Sequence, residues 1–483
     1  MNTEDKMIIF EVANNHNGSL DHGKLIVDEI KEISDKFIFP VAVKFQLRDL
    51  DSLLHPDFLD KDLKYFERFK KTRLPIADML KLFKYVKDNG LILICTPFDN
   101  ASLKYMGMVD FIKIASCSND DWPLLEEIAE LGKPVIASTG GLDFDGIDNL
   151  VNFFKHKNID LSLLHCVGKY PMNYEDARLY MIPKMIKRYG ITIGYSGHEG
   201  PNEVEVGMMA MGMGAEIFER HYGSGSVNDY SLQKESAINW LHFMVKANNI
   251  IGYGQGADKE EIETLNSLKR GTYLARDYDQ FDDINEVFYA MPLQYGQVSA
   301  GKYGEYRTGY IADRNLKAGE PLVGKRYFDI EIEKARKIIH RAEGMIAEAG
   351  IKLKNYSVEI SHHYGIMEFD SYGAVIFSIL NREYCKKLIV MFSGQTHPSH
   401  YHKLKEEMFH VLWGGLIVDV NDRKFDLEAG DVKLIERYHD HSFYTKSGVI
   451  FEEISTTHIS GDSYYSDMTI VKSDILERKT IIT

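Results

Sequence analysis

Between Met7 and Tyr253 the chain alternates a short apolar run with an amphipathic segment, eight times over, and that rhythm admits few folds. The apolar runs are Ile8–Val12, Val41–Gln46, Leu91–Thr96, Phe111–Ala115, Val135–Ser138, Leu161–Cys166, Ile191–Tyr195 and Ala215–Phe218. Segments such as Leu20–Ile33, Ala77–Lys87, Leu124–Leu131 and Ile147–Lys155 separate them with helical periodicity. Asn202–Met213, rich in Met, Gly and Ala, suits a crossover helix packed close to strands. Runs that are apolar throughout are strands buried on both faces, so the region predicts an α/β fold with a closed (β/α)8 TIM barrel. An open doubly wound sheet is the competing layout. No G-x-G-x-x-G follows the first run, which counts against its dinucleotide-binding version.

In such a barrel the C-terminal strand ends open on one face, where active sites form. Here nearly every run ends in polar residues. Glu11 precedes NNHNG, Lys44 and Gln46 stand in VKFQ, and Thr96 begins TPF. Lys113 and Ser116 stand in KIASCS, Ser138 in STGG, Tyr170 in HCVGKYP, His198 in GYSGHEG and His221 in ERHYGSGSVND. Each has a bland reading alone, since strand ends are commonly polar and a strand lysine can snorkel. Together, Lys44 and Lys113 alternate with apolar neighbours and would point into the barrel mouth beside hydroxyls. Ammonium groups, hydroxyls and backbone N–H groups suit a phosphate and a carboxylate. His198 and His221, on neighbouring strand ends, can share one divalent metal and leave positions open for substrate.

The net charge of -15 argues against a nucleic-acid surface but not against an anionic ligand in a locally basic pocket. Cys95, Cys117, Cys166 and Cys385 lack disulfide or metal spacing, so reduced core thiols are expected. The start, MNTEDKMIIFEV, enters a strand at once, and no apolar run approaches the ~20 residues that span a bilayer. A cytoplasmic protein with no signal peptide and no membrane or nucleic-acid partner is expected.

EVANNHNGS, VKFQ, CTPFD, KIAS, STGG, HCVGKYP, GYSGHEG and ERHYGSG resemble, in order and spacing, the sialic acid (N-acetylneuraminate) synthase family. The resemblance implies condensation of phosphoenolpyruvate with an aldose such as N-acetylmannosamine. The product would be a nonulosonic acid for surface polysaccharide or glycan biosynthesis, and phosphate would be released. It also implies a divalent metal, usually manganese, and a homodimer. By the same resemblance His198 and His221 are the metal ligands. Lys44, Thr96, Lys113, Ser116, Ser138 and Ser196 hold phosphoenolpyruvate, with Tyr170 beside them. Glu11 is the acid/base and water-positioning carboxylate, and Gln46 and Asp229 face the acceptor sugar. The chain departs from the family at Val167-Gly168-Lys169, where many members have Thr-Asn, and Lys169 is a candidate replacement donor. It has Gly197 where an acidic residue is common, a different ERHYGSGSVND loop, and no sugar-facing asparagine in FERFKKTR. These changes fall on the sugar side.

Three regions are expected, 1–258, 259–330 and 331–483. The middle one has short strand-like runs and turn signals. The family usually carries there an antifreeze-like domain whose arginine reaches the partner subunit's sugar site. LARDYDQFDDI and IADRNLKAGEPL vaguely resemble its start, and Arg307 is the candidate arginine, with an exposed strand arginine as the bland reading. Glu331–Gly350 reads as an amphipathic connector helix, and the chain is β-like from Ile351 on. Alternation puts His400 and His402 on one strand face, to which Glu407 and His441 can return. Three imidazoles and a carboxylate suit a second first-row divalent metal. Their spacing resembles the two cupin motifs, with Glu436 and Tyr438 at the usual Pro and Gly positions. The nearby His397, His410, His439 and His458 are candidate supporting groups. The cupin raises alternatives to a plain synthase: a sugar isomerase or epimerase, or a sugar-binding module.

Overall fold

Eight parallel strands close into a barrel in chain order: β1 (Met7–Ala13), β2 (Val41–Leu47), β3 (Ile92–Pro97), β4 (Phe111–Ile114), β5 (Val135–Ser138), β6 (Leu161–Cys166), β7 (Ile193–Gly197) and β8 (Ile217–His221), with β8 returning to β1. The computed structural model describes residues 6–55, 58, 66–252, 256–303, 309–323, 325–327, 330–474 and 477–482. It divides into two units, Met1–Gly256 and Ala257–Thr483. The last barrel strand runs on to His221, beyond the Phe218 expected from apolarity. Its charged residues fit a buried strand because Glu219 and His221 alternate into the lumen while Arg220, facing the other way, meets Glu199.

Alternation also explains the lumen. Ile9, Ala42, Ile94, Ile136, Leu164 and Ile217 form a lower apolar layer, with Phe111 against it. Two residues further along these strands stand Glu11, Lys44, Thr96, Ser138, Cys166, Glu219 and Lys113. On β7 the lower position is Gly194, where a Cβ would lie 2.3 Å from the Ile217 carbonyl oxygen, and Ser196 follows above it. An apolar floor thus carries a polar layer around the barrel. Outward-facing residues such as Phe10, Val43, Phe45, Leu93 and Ile112 pack on helix residues such as Ile26, Ile30, Leu82, Leu125 and Leu150. Each such side chain, fully buried, stabilises by about 1.5–3 kcal/mol. Ser19, Asp121 and Asp143 accept from backbone N–H groups at the starts of the helices Leu20–Ser34, Trp122–Glu130 and Phe144–His156, each worth about 1 kcal/mol. No helix among the described residues is long and apolar enough to cross a membrane.

In the second unit, β9 (Gly271–Leu274) pairs with β10 (Val287–Ala290) and β11 (Gly309–Ile311) with β12 (Lys325–Tyr327), all antiparallel. Leu274, Tyr278, Ile284, Tyr310, Ala312 and Leu316 form a small core there. Arg307 lies outside the described residues. The helix Ile330–Glu348 lays Ala335, Ile338, Ala342 and Ile346 on Ile360, Phe369, Phe377 and Val390. The remainder is antiparallel: β13 (Ser357–Ser361), β14 (Ala374–Asn381), β15 (Tyr384–Met391), β16 (Thr396–Tyr401), β17 (Glu407–Val420), β18 (Arg423–Glu428), β19 (Val432–Ile435), β20 (His441–Tyr444), β21 (Val449–Thr456), β22 (Tyr464–Tyr465) and β23 (Lys479–Ile482). They pair in the order β22-β16-β20-β17-β21-β15-β14-β13-β23, with β18 and β19 also on β17. This is the half-barrel sheet of a cupin, filled by Phe409, Val411, Leu416, Val418, Phe443 and Phe451.

Candidate functional site

The C-terminal strand ends surround a cavity of about 660 Å³. Glu11, Lys44, Gln46, Thr96, Lys113, Ser116, Ser138, Tyr170, Ser196, His198 and His221 all line it. Lys44 Nζ lies 2.5 Å from Glu11 Oε2 and 3.0 Å from Glu219 Oε1. Burial works against the Lys44 charge, but the two carboxylates more than offset it and hold its pKa above the ordinary lysine range. Burial raises the Glu11 pKa, with Lys44 opposing, and Lys44 and Lys113 hold Glu219 below the usual carboxylate range against its burial. Lys113 donates to Ser138 Oγ at 2.6 Å and to the Ile114 carbonyl at 2.9 Å. Unlike Lys44 it touches no carboxylate directly among the described residues, and burial pulls its pKa down to about 8. Thr96 Oγ1 has no hydrogen-bond partner among the described residues. Backbone geometry supports the cluster. A β-bulge between Glu11 and Ala13, with Ala13 at φ 48°, turns the Ala13 N–H back onto the Glu11 carboxylate. At Gly140 a Cβ would meet Ser116 Oγ at 2.5 Å.

His198 and His221 lie with ring centroids 5.4 Å apart. Val167 O accepts from His198 Nδ1 at 3.0 Å, leaving Nε2 free to ligate, while His221 Nδ1 has no hydrogen-bond partner among the described residues. Burial lowers His198 to about 4 and His221 well below its ordinary value, so both rings are neutral at pH 7. Two neutral imidazoles beside the Glu219 carboxylate fit a divalent cation. Tyr170 packs 4.1 Å from the His198 ring, and Tyr230 5.0 Å from His221.

Glu219 escapes a reading that ends the strand at Phe218. Its signal is its place two residues before His221, which puts both on one strand face. Gly197 is explained by Glu199: a Cβ at Gly197 would lie 2.3 Å from Glu199 Oε2. That carboxylate pairs with Arg220 Nη1 at 2.7 Å and accepts from the Tyr195 hydroxyl at 3.0 Å, all fully buried. A carboxylate carried two residues on thus fills the space beside Gly197. Two sequence candidates stand apart from the cavity. Asp229 is exposed, because the turn in which Asn228 Oδ1 accepts from Tyr230 N faces Asn228 and Tyr230 inward instead. Lys169 is turned outward to Asp176, 2.7 Å away.

The second cluster is in the cupin. His400 on β16 lies opposite His441 on β20, His402 follows β16, and Glu407 opens β17. Their donor atoms all lie within 4.8 Å of one another, and the four residues are buried. Each imidazole meets a carbonyl through Nδ1: His400 that of Pro398 at 3.1 Å, His402 that of Asp462 at 2.7 Å, His441 that of His439 at 3.1 Å. All three therefore aim Nε2 inward, and His402 Nε2 has no hydrogen-bond partner among the described residues. Burial keeps His400 and His402 neutral, while Lys405 and His441 outweigh burial to hold Glu407 ionised. Lys405 contacts Glu407 Oε2 and lies 2.9 Å from Glu453 Oε1. The Asp462 carboxylate pins the intervening loop by accepting from Lys403, Leu404 and Lys405 N–H groups. Tyr438 takes φ 65°, the left-handed conformation for which glycine is usual. This donor set fits a first-row divalent metal. His397 rather than His410, His439 or His458 shares the adjoining cavity, which measures only about 40 Å³.

The NeuB family pattern matches residues 41–240 and the cupin domain pattern residues 388–452. An uncharacterized protein of Methanocaldococcus jannaschii is 35% identical over 300 residues, 58% of this chain and 85% of its own length. The N,N'-diacetyllegionaminic acid synthase of Campylobacter jejuni is 25% identical over 332 residues, 65% of this chain and 98% of its own. A crystal structure from Chromobacterium violaceum, described as a spore coat polysaccharide biosynthesis protein E, is 37% identical with TM-score 0.63, covering 66% of this chain and 98% of that one.

Proposed function

Because this chain belongs to the NeuB family and carries a cupin domain as well, we propose that it is a carbon–carbon bond-forming transferase that condenses phosphoenolpyruvate with an aldose into a nonulosonic acid, releasing phosphate. The observation that carries the reading is the polar layer above the barrel floor, where Lys44, Lys113 and four hydroxyls (Thr96, Ser116, Ser138 and Ser196) face one cavity with two neutral imidazoles. The cavity's ~660 Å³ suits two small substrates at once. The synthase name of the C. jejuni relative agrees with it.

In this reading Lys44, Lys113 and the hydroxyls hold the anionic groups of the donor and offset charge as it moves. The donor's methylene carbon bonds to the aldehyde carbon, water adds to the former enol carbon, and phosphate leaves by cleavage of its C–O bond. Glu11, buried with a raised pKa, positions that water and exchanges its proton. His198 and His221 are the residues that would hold a divalent cation, read as manganese, and when bound it would supply Lewis acidity toward the aldehyde oxygen. Gln46 faces the acceptor. A homodimer completed by Arg307, a cytoplasmic setting and a role in surface glycan synthesis belong to the same proposal.

A cupin-based sugar isomerase or sugar-binding module is less well supported. A ~40 Å³ cavity holds a metal with one or two waters, whereas sites for sugar-sized ligands run to roughly 300 Å³ or more. The deciding experiment is phosphate release from phosphoenolpyruvate across an aldose panel, with and without manganese, in the wild type and Lys113→Ala. Release that depends on the aldose and on Lys113 is expected. No release with any aldose would overturn the proposal.

A further inference from the structure

Arg48, just past β2, lines the same cavity without an obvious duty there. Its guanidinium lies 3.8 Å from the Phe98 ring centroid and 4.2 Å from that of Phe69. Nη2 donates to Gln46 Oε1 at 2.6 Å, and among the described residues Arg48 makes no ion pair. Burial lowers its pKa to about 10, with Glu11 and Asp99 opposing from a distance without an ion pair to it among the described residues. Asp99, on the neighbouring loop, is already engaged, accepting from Asp49 N at 2.8 Å and from Ser102 N at 2.8 Å. A second guanidinium, that of Arg68, also lines the cavity, is exposed, and makes no ion pair among the described residues. Lys44, by contrast, is already matched by Glu11 and Glu219.

A guanidinium fixed between aromatic rings offers its remaining N–H groups only in its own plane, the geometry that grips a phosphate or carboxylate bidentately. A hydroxyl would leave most of that charge unanswered. Resting on the synthase reading above, we propose that Arg48, assisted by Arg68, is an anion subsite that selects an acceptor aldose bearing a phosphate monoester. Gln46, tied to Arg48, couples this subsite to the rest of the cavity.

The test pairs neutral aldoses with their terminal phosphate esters and measures kcat/KM for phosphate release from phosphoenolpyruvate. Binding of the same esters is measured by calorimetry without phosphoenolpyruvate. The wild type is expected to prefer esters. Arg48→Gln should cut that preference by roughly 10- to 100-fold, the worth of a charged hydrogen-bonded contact, and Arg48→Lys by less. Arg68→Ala, on the exposed helix, checks the subsite where an Arg48 variant folds poorly. A wild type that prefers neutral or carboxylate-bearing aldoses overturns the proposal. So does an Arg48→Gln that leaves the preference intact, since Arg48 then only supports Gln46. If no aldose is condensed but esters still bind in an Arg48-dependent way, the synthase reading fails and the subsite stands. If neither occurs, both fail.

Discussion

Moving one carboxylate by two residues should exchange one stable barrel for another. Glu199 is fully buried against Arg220, which is 1% exposed, so Glu199→Ala leaves a guanidinium in the interior without its counterion. Removing one partner of such a pair costs about 3–5 kcal/mol. The Tyr195 hydroxyl also loses its acceptor. Arg220 keeps bonds to the Glu199 and Gly200 carbonyls, at 2.8 and 3.2 Å, which argues for the lower half of that range. A loss of about 3.5 kcal/mol lowers Tm by about 7–14 °C at 2–4 °C per kcal/mol. Gly197→Asp alone should also destabilise, because its Cβ would fall 2.8 Å from the Glu199 carboxyl carbon and press two carboxylates into one place. With both changes the carboxylate introduced at position 197 occupies the vacated volume and answers Arg220. Gly197 does not have a left-handed φ, so the added Cβ carries no backbone strain. The double-mutant cycle should therefore show a favourable coupling of about 3 kcal/mol, read from thermal and urea melts of the four proteins. A double mutant no more stable than Glu199→Ala would refute the reasoning.

Three further outcomes are expected. Burial takes Lys113 from 10.5 to about 8, so the free enzyme loses this charge as pH rises through 8, and kcat/KM for phosphoenolpyruvate should fall above that pH, with Lys113→Met removing that limb of the profile. The stability sign is opposite: the unfolded chain binds the proton more tightly, so the burial penalty is complete below pH 8 and fades toward pH 10.5. His198→Ala or His221→Ala should reduce turnover at least 100-fold while shifting Tm by less than about 3 °C, since both stand at strand ends above the apolar floor; wild-type turnover in manganese-depleted buffer would count against the assignment. Elemental analysis should find one divalent metal lost on His400→Ala with Glu407→Ala, and chelation should lower the wild-type Tm by more than that of the variant, which keeps only the barrel metal; equal metal content in both proteins would remove the cupin site.

What could be read from sequence follows from periodicity. Lys44, Thr96, Lys113 and Ser138 were legible because each sits in an apolar strand at the alternation that faces the lumen. The cluster of His400, His402, Glu407 and His441 was legible because short antiparallel strands return side chains to one face at fixed spacing. Glu219 was hidden because a charged pair reads as a strand end, although a buried partner on each side makes it strand interior. Arg48 was hidden because its stacking partners, Phe69 and Phe98, arrive from two other segments. Asp229 stands outside the cavity because a loop follows no fixed period and its turn chemistry decides which side chain faces in.

The polar layer of the barrel has a consequence for how anything negatively charged can enter. Glu11, Lys44, Lys113 and Glu219 bring two charges of each sign to one ring, with Lys44 already bridging the two acids. An anion entering this ring would have to displace resident counterions, so the barrel would act as an ion exchanger rather than an open basic well. Every carboxylate so released must find a proton or a cation. Uptake of the anion is thereby tied to uptake of positive charge, and linkage makes the dependence mutual: whatever the anion gains from the cation, the cation gains in equal measure from the anion.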